Sequence, residues 1–177
     1  VQAYNVQLAV SDDHVIIACQ AHQSASDQDS FEPMVTAVVD AAQALEDLDG
    51  GHRQTSVGLL LADAGYLSEH NLTLPGPNRL IATGKSRDLH QETPCDDPAP
   101  SVARPIDQMR HAFADPDTQQ RYKRRGATVE PVNAHLKHGV GLQRFSRRGV
   151  SSVTAELNLA AAVVNLQRLY HRGQATS

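Results

Sequence analysis

Residues 57–66 read VGLLLADAGY, a continuous apolar run that ends in a carboxylate. An unbroken run of Val and Leu is typical of a central strand covered on both faces, so we predict such a strand at Val57–Ala62. Asp63 then stands at the carboxyl end of the strand, where α/β sheets usually bind their ligands. Asp before Ala-Gly is equally typical of a simple strand exit. The position of Asp63 by itself leaves both interpretations open.

Strand patterns and helix patterns alternate on either side of this run. Tyr4–Val10 and His14–Ala18 are β-prone and flank a turn at Ser11–Asp13, while Arg79–Thr83 predicts another buried strand. Helices are predicted where apolar residues recur at intervals of three and four. They fall at Phe31–Leu45 with a cap at Asp29 or Ser30, just after Ser68, at Ile106–Phe113, at about 118–138, and from Val150 onward. The alternation predicts an α/β fold with helices packed on a mixed sheet.

Two of these helices carry more specific predictions. Pro131 is awkward inside a helix, so we predict that a helix starts near Val129 with Pro131 in its first turn. The buried apolar stripe of the C-terminal helix is predicted to be widened by four further residues, Leu159, Val163, Leu166 and Tyr170. The core of that stripe consists of Val150, Val153, Leu157, Ala160 and Val164.

Length and composition fit one globular domain. A chain of 177 residues can bury a real core, and 40% hydrophobic with 20% charged residues are ordinary globular values. The apolar stretches are too short to span a bilayer, and no N-terminal signal pattern is visible, so we expect no membrane partner and a cytoplasmic location. Residues 85–105 hold four prolines and few apolar residues, which predicts an exposed insertion loop. Since the chain starts at Val1 already in a strand pattern, we expect it to be part of a longer protein.

Charge is distributed unevenly along the chain. Eight Lys and Arg residues surround a single carboxylate, Glu130, in the segment Arg121–Arg148, here called the basic strip, although the whole chain has a net charge of -4. A lone acid in a strip of net charge +7 is expected to face a metal ion or a phosphate-bound cation. A salt-bridged surface helix is the alternative. Because few aromatic residues are interleaved with the basic ones, any nucleic-acid contact is predicted to be to backbone phosphates.

Asp63 and Glu130 are the candidate pair of catalytic carboxylates. Two acids from distant parts of a chain, converging beside a basic strip, suit two divalent cations that activate an oxygen nucleophile and stabilise the leaving oxygen of a phosphodiester. Paired metals in such sites lie roughly 3.5–4 Å apart, so we expect the two carboxyl groups to approach within about 10 Å.

Several segments resemble the DDE transposases of bacterial insertion sequences, which have an RNase H-like catalytic core. VQAYNVQLAVSDDHVIIA resembles the early strand pair of that family, LLADAGYLSEHNL its second-aspartate segment, and YKRRGATVEPVNAHLKH its glutamate segment. The closing RFSRRGVSSVTAELNLAAAVVNLQRLY is similar to the family's final helix. The resemblance implies an RNase H-like mixed sheet flanked by helices, with Asp63 and Glu130 as the second and third catalytic acids holding Mg²⁺ or Mn²⁺.

The glutamate segment also matches the family's tyrosine, arginine and lysine, at Tyr122, Arg125 and Lys137. Tyr122 lies eight residues before Glu130, one residue further than in the best-known form of this signature. Lys137 follows Glu130 by seven residues, a spacing that puts both side chains on one face of an α-helix.

The first catalytic aspartate of the family belongs to a strand upstream of YNVQ, so the fold is expected to lack the N-terminal strand or strands that carry it. Asp12 and Asp13 lie at the hairpin tip and are poor substitutes. The chain alone is therefore expected not to cut or join DNA.

The resemblance implies a function in DNA transposition, by metal-dependent cleavage and strand transfer within a longer transposase. Transposon ends and target DNA are the implied partners, with a possible homodimer on DNA and a location at the nucleoid. The residues expected to contact DNA are Tyr122, Arg124, Arg125, Lys137, Arg144, Arg147 and Arg148. A non-catalytic DNA-binding remnant of a truncated transposase is the alternative, and a nuclease without strand transfer is a third hypothesis.

Overall fold

The computed structural model describes residues 4–50, 52, 55–84 and 104–175. Most of the predicted Pro-rich loop at 85–105, including Cys95, lies outside these residues. The described chain divides into two units: a terminal unit of residues 4–25 and 126–175, and a central unit within residues 26–125. Strands and helices occur in both units, which confirms the mixed α/β class. In the part of the chain that the structure describes, no helix is both long enough and apolar enough to span a bilayer.

The terminal unit begins with a β-hairpin. β1 (Asn5–Val10) pairs antiparallel with β2 (Ile16–His22), and the N–H of Ser11 donates to the carbonyl of Val15 at 2.9 Å to close the turn. The register pairs Asn5 with His22, Gln7 with Gln20 and Ala9 with Ala18. The predicted hairpin and its turn at Ser11–Asp13 are confirmed, although β2 begins and ends later than the sequence pattern indicated.

The long C-terminal helix α5 (Val150–Ala175) packs across this hairpin. The side-chain amide of Asn165 fixes the start of β2, because it accepts from the N–H of Ile16 and donates to the carbonyl of Ile16, each at 2.9 Å. The buried positions of α5 are Val153, Leu157, Ala160, Ala161 and Val164. The predicted amphipathic C-terminal helix is therefore confirmed.

The predicted widening of its buried stripe is wrong at three of four positions, since Val163 alone of the four is half-buried. Val150, predicted within the stripe, is exposed. Leu159, Leu166 and Tyr170 are 68%, 65% and 65% exposed. Intervals of three and four assign residues to a helix face, but they do not show which of two adjacent apolar faces is packed. The hairpin packs on the face that carries Val153 and Val164.

Helix α4 (Pro116–Ala134) is continuous along the chain and runs on into a π-helical turn, His135–Gly139. The prediction that a helix starts near Val129 is wrong, because Pro131 lies inside α4. A proline inside a helix leaves the carbonyl four residues earlier without its usual N–H donor. Here that carbonyl belongs to Ala127, and it accepts a hydrogen bond from Nε2 of His14 at 3.1 Å instead.

In the central unit, β3 (Leu59–Ala62) and β4 (Asn78–Ile81) form a parallel pair. The register pairs Leu59 with Asn78, Leu60 with Arg79, Leu61 with Leu80 and Ala62 with Ile81. Both predicted strands are confirmed with shorter bounds. The predicted burial of β3 on both faces is wrong, since Leu59 is exposed and β4 is its one hydrogen-bonded neighbour among the described residues.

Helices complete the central unit. α1 (Gln28–Leu48) packs on the strand pair, and the shared core consists of Phe31, Val35, Ala62 and Ile81. The N-cap of α1 is Asp27, so the predicted cap at Asp29 or Ser30 is wrong, because the helix begins before both residues. α2 (Glu69–Thr73) has the predicted Ser68 cap, and α3 (Pro105–Ala114) confirms the helix that the sequence places there.

Candidate active site

Asp63 directly follows β3, as the sequence predicts. Its Oδ1 accepts a hydrogen bond from the N–H of Gly65 at 3.0 Å, so the carboxylate caps a 3-10 turn, Ala64–Tyr66. The other oxygen, Oδ2, lies 3.9 Å from Nη1 of Arg125. With the Asp63 side chain 48% exposed, this is a loose ion pair that contributes little to stability. One carboxylate oxygen is thus used by the backbone, and the other faces a cation near solvent.

Arg125 is supported by a pair of aromatic rings. Tyr122 is buried, and its ring meets Phe113 edge-to-face at 5.1 Å between centroids. The guanidinium carbon of Arg125 lies 5.7 Å from the centre of the Tyr122 ring, within cation–π range. Burial raises the pKa of the Tyr122 hydroxyl, and the nearby Arg125 opposes that shift. The structure therefore places Tyr122 in the core beneath Arg125.

Asp27 is a second carboxylate beside Asp63, and sequence reasoning missed it. A Cβ built on Gly65 would lie 3.0 Å from Oδ2 of Asp27 and 3.1 Å from Oδ1 of Asp63. The two oxygens are therefore about 6 Å apart at most, on either side of a residue that has no side chain. Burial raises the pKa of the Tyr66 hydroxyl above its usual value of 10, and the charges of Asp63 and Asp27 raise it further. No sequence signal distinguished Asp27 from an ordinary helix cap.

A buried amide holds this arrangement together. Nδ2 of Asn71 donates to the carbonyl of Gln28 at 3.0 Å and to the carbonyl of Tyr66 at 2.8 Å. The first contact fixes the start of α1 next to Asp27, and the second fixes the turn that follows Asp63. Asn71 thus ties the segments of both carboxylates to α2.

Glu130 is exposed on the part of α4 that belongs to the terminal unit. Its side chain extends back along the helix, since a Cβ built on Gly126 would lie 3.3 Å from Oε1 of Glu130. Asp63 belongs to the central unit. The shared cleft of Asp63 and Glu130 stays a prediction. In the described ranges, no three side chains of His, Cys, Asp or Glu are grouped so that they could hold a metal ion.

The remaining basic candidates are exposed. Arg124 lies on α4, Lys137 in the π-helical turn, and three arginines in the segment before α5. Those three are Arg144, Arg147 and Arg148. Lys137 lies in the π-helical turn, where the number of residues per turn differs from that of an α-helix. The seven-residue α-helical spacing therefore does not by itself put Lys137 on the same face as Glu130.

Comparison with known proteins gives one family match. The family model described as the transposase DDE domain matches residues 99–170. The matched residues include Tyr122, Arg125, Glu130 and Lys137, and they end within α5, whereas Asp63 lies outside them. The match confirms the resemblance that the glutamate segment and the closing helix indicated. A search of curated proteins found no match. A search of solved structures found none either.

Proposed function

We propose that the chain acts in DNA transposition as part of a longer transposase, because its residues 99–170 match the family model of the transposase DDE domain. The reaction is phosphodiester cleavage at transposon ends, followed by strand transfer into target DNA. In cleavage, a water oxygen bonds to phosphorus while the bond from phosphorus to the 3′ oxygen breaks, which frees a 3′-hydroxyl. In transfer, the oxygen of that 3′-hydroxyl gives up its proton and bonds to a phosphorus of the target DNA, while the bond from that phosphorus to the target's own 3′ oxygen breaks and leaves a new 3′-hydroxyl. The family match over the glutamate segment is the observation that carries this proposal.

The catalytic core on this proposal is RNase H-like, and its metal is Mg²⁺ or Mn²⁺. Carboxylate oxygens are the ligands that these ions prefer, and Oδ2 of Asp63 is not used by the Gly65 amide. Asp27 adds a carboxylate oxygen on the other side of Gly65, where the missing side chain leaves room. The chemistry of these side chains suits a divalent cation, and on this proposal Asp63 and Glu130 are its principal protein ligands. When bound, the metal would activate the attacking oxygen and stabilise the leaving oxygen.

The other residues have supporting roles in this proposal. Arg125 stands beside Asp63, where a guanidinium can contact a phosphate oxygen of the scissile strand. Tyr122 acts through Arg125, because the guanidinium of Arg125 lies over the buried Tyr122 ring and is positioned by it. Exposed Arg124, Lys137 and the arginines before α5 contact neighbouring phosphates. On this proposal the protein acts at the nucleoid in the cytoplasm, as a homodimer on DNA.

The test compares nicking of a transposon-end duplex in Mg²⁺ or Mn²⁺ by three proteins. They are this chain, the longer protein extended upstream of Val1, and the longer protein carrying Glu130→Gln. Of the three proteins, we expect the unsubstituted longer protein to be the one that nicks the duplex. Two divalent ions bring more positive charge than Asp63 and Glu130 balance, so the site needs a further bridging acid. Asp12 and Asp13 are at the tip of the hairpin turn, exposed, and unsuited to that role.

Each other outcome has a definite meaning. Nicking that survives Glu130→Gln would remove Glu130 from the mechanism. Strong nicking by this chain, lost on Asp12→Asn, would show that the first acid had been sought in the wrong place. DNA binding by every protein with nicking by none would favour the non-catalytic remnant. Cleavage without joining would favour a nuclease.

A further inference from the structure

Pro131 sits in the middle of a helical turn that carries a candidate catalytic residue. Because proline has no backbone N–H, the carbonyl of Ala127 lacks the donor that residue 131 would otherwise supply within α4. An exposed carbonyl in this position would be hydrated and would loosen the turn. The structure gives this carbonyl a donor from a different part of the sequence, Nε2 of His14 at 3.1 Å.

His14 is held in place for this contact by the hairpin. Its φ is +62°, a left-handed conformation that non-glycine residues seldom adopt. Its backbone N–H donates to the carbonyl of Ser11 at 2.8 Å, which fixes the residue in the turn between β1 and β2. Such a conformation persists only where the surrounding structure determines it. The hairpin therefore fixes the backbone of His14, from which the imidazole contacts the carbonyl of Ala127.

Glu130 lies in the same turn as the supported carbonyl. It directly precedes Pro131, and its carboxylate extends back to Gly126, the neighbour of Ala127. If the carbonyl of Ala127 tilted away from the helix axis, the backbone at Gly126 and Ala127, against which the Glu130 side chain lies, would shift. The imidazole of His14 and the carboxylate of Glu130 thus lie against adjacent residues of one helical turn, Ala127 and Gly126.

We propose that His14 is a positioning residue for Glu130: it supplies the hydrogen bond that Pro131 removes from α4 and so fixes the turn that presents the carboxylate. The role in catalysis rests on the proposed function of Glu130, whereas the structural link does not. His14 itself does not touch the reacting atoms.

The test is a set of four chains: the unmodified protein, His14→Ala, Pro131→Ala, and the two substitutions together. Hydrogen exchange is measured at the backbone amides of Glu130 and of Leu157, which is buried in α5. His14→Ala is expected to speed exchange at Glu130 by between about twofold and tenfold, the range that a net hydrogen bond of 0.5–1.5 kcal/mol gives. Exchange at Leu157 should stay the same. With Pro131→Ala present, residue 131 supplies the N–H, so removing His14 should change exchange at Glu130 by less than about twofold.

A second signal reports on the carboxylate directly. The ¹³C resonance of the Glu130 carboxyl group should move in the His14→Ala chain and return when Pro131→Ala is added. Asp12→Ala, in the same hairpin turn and exposed, is the matched control and should leave both signals unchanged. Equal acceleration at Glu130 and Leu157 would mean that His14 only stabilises the unit, and would overturn the proposal. A His14 effect that persists with Pro131→Ala would overturn it too.

The same substitutions in the longer transposase separate this inference from the proposed function. His14→Ala is expected to slow nicking, and adding Pro131→Ala is expected to restore it. If Glu130→Gln leaves nicking intact, the proposed catalytic role of Glu130 fails. The exchange measurements contain neither metal nor DNA, so their outcome would still decide whether His14 positions the turn.

Discussion

Asn71 shows how one buried side chain arranges the residues around Asp63. It is 1% exposed, and its amide nitrogen serves two carbonyls from separate segments. The separation of Asp27 and Asp63 therefore depends on a residue that belongs to neither segment.

We expect Asn71→Ala to lower the free energy of unfolding by about 1–3 kcal/mol, the cost of leaving buried polar groups without partners. Urea denaturation followed by circular dichroism measures this change. Asn78→Ala is the matched control, because Asn78 is exposed and its side chain can be removed at a cost within about 0.5 kcal/mol. A loss for Asn71→Ala no larger than that of the control would contradict the proposed role.

At the residue scale, sequence found the acids that stand next to recognisable elements. Asp63 was identified because a strand pattern ends just before it, and Glu130 because its surroundings are basic. Asp27 could not be found in this way, since its closeness to Asp63 arises from the packing of α1 on the strand pair. The burial of Tyr122 against Phe113 was hidden for the same reason. Periodicity and charge are local signals, whereas these contacts are tertiary.

At the element scale, one acid of α5 anchors the segment between the π-helical turn and α5. Glu156 of α5 accepts the backbone N–H of Ser146, at 2.9 and 3.0 Å to its two oxygens, and the N–H of Arg147 at 3.3 Å. This contact holds the arginine-containing segment against the helix. The basic residues expected to face DNA are thereby attached to a carboxylate in the same unit.

The anchor is expected to depend on pH. The hydrogen bonds from Ser146, and then those from Arg147, lower the pKa of Glu156 below its usual 4.5. A carboxyl group whose pKa is lower in the folded state stabilises the protein above its unfolded pKa, and that contribution is lost as the pH falls through the folded pKa. The difference in unfolding free energy between the unmodified chain and Glu156→Gln should therefore be full at neutral pH and shrink below about pH 4.5. Urea denaturation across this range measures it, and a difference independent of pH would contradict the assignment.

The sequence predicts which helices and strands exist better than it predicts where they begin and end or which of their faces is buried. The hairpin, both central strands and the main helices follow from periodicity. Pro131 was misread as a helix start because its lost hydrogen bond is replaced by His14, which is more than a hundred residues away. The exposed face of α5 was misread because both of its apolar faces have the same spacing. In each case the deciding partner is distant in sequence.

At the scale of the whole molecule, the net charge of -4 conceals a basic surface. We expect DNA binding that is largely independent of sequence and that weakens steeply with salt, because each neutralised phosphate releases condensed counterions. Replacing Arg124, Arg125 and Lys137 with Ala should make the log–log salt slope on duplex DNA shallower by up to about 3, at roughly 0.9 per contact. Fluorescence anisotropy at several salt concentrations measures the slope.

A control of equal charge tests whether the basic strip itself is responsible. Arg104, Arg110 and Arg172 are exposed arginines outside the strip, each paired with an aspartate. Replacing these three with Ala changes the net charge by the same amount and should leave the slope close to that of the unmodified chain. Equal slopes for the two triple variants would mean that the strip is only a solvated surface.

The bonds that join the hairpin to α5 span nearly the whole sequence. Ile16 and Asn165 are 149 residues apart, and Asp13 and Arg172 are 159 apart. A two-stranded hairpin by itself is at best marginally stable in water. On the ribosome, β1 and β2 emerge long before the end of α4 and the whole of α5, on which they pack, whereas the strand pair of the central unit has its partners sooner. The strands of the hairpin are therefore synthesised well before their packing is complete, and the nascent chain carries part of their apolar surface uncovered throughout that interval.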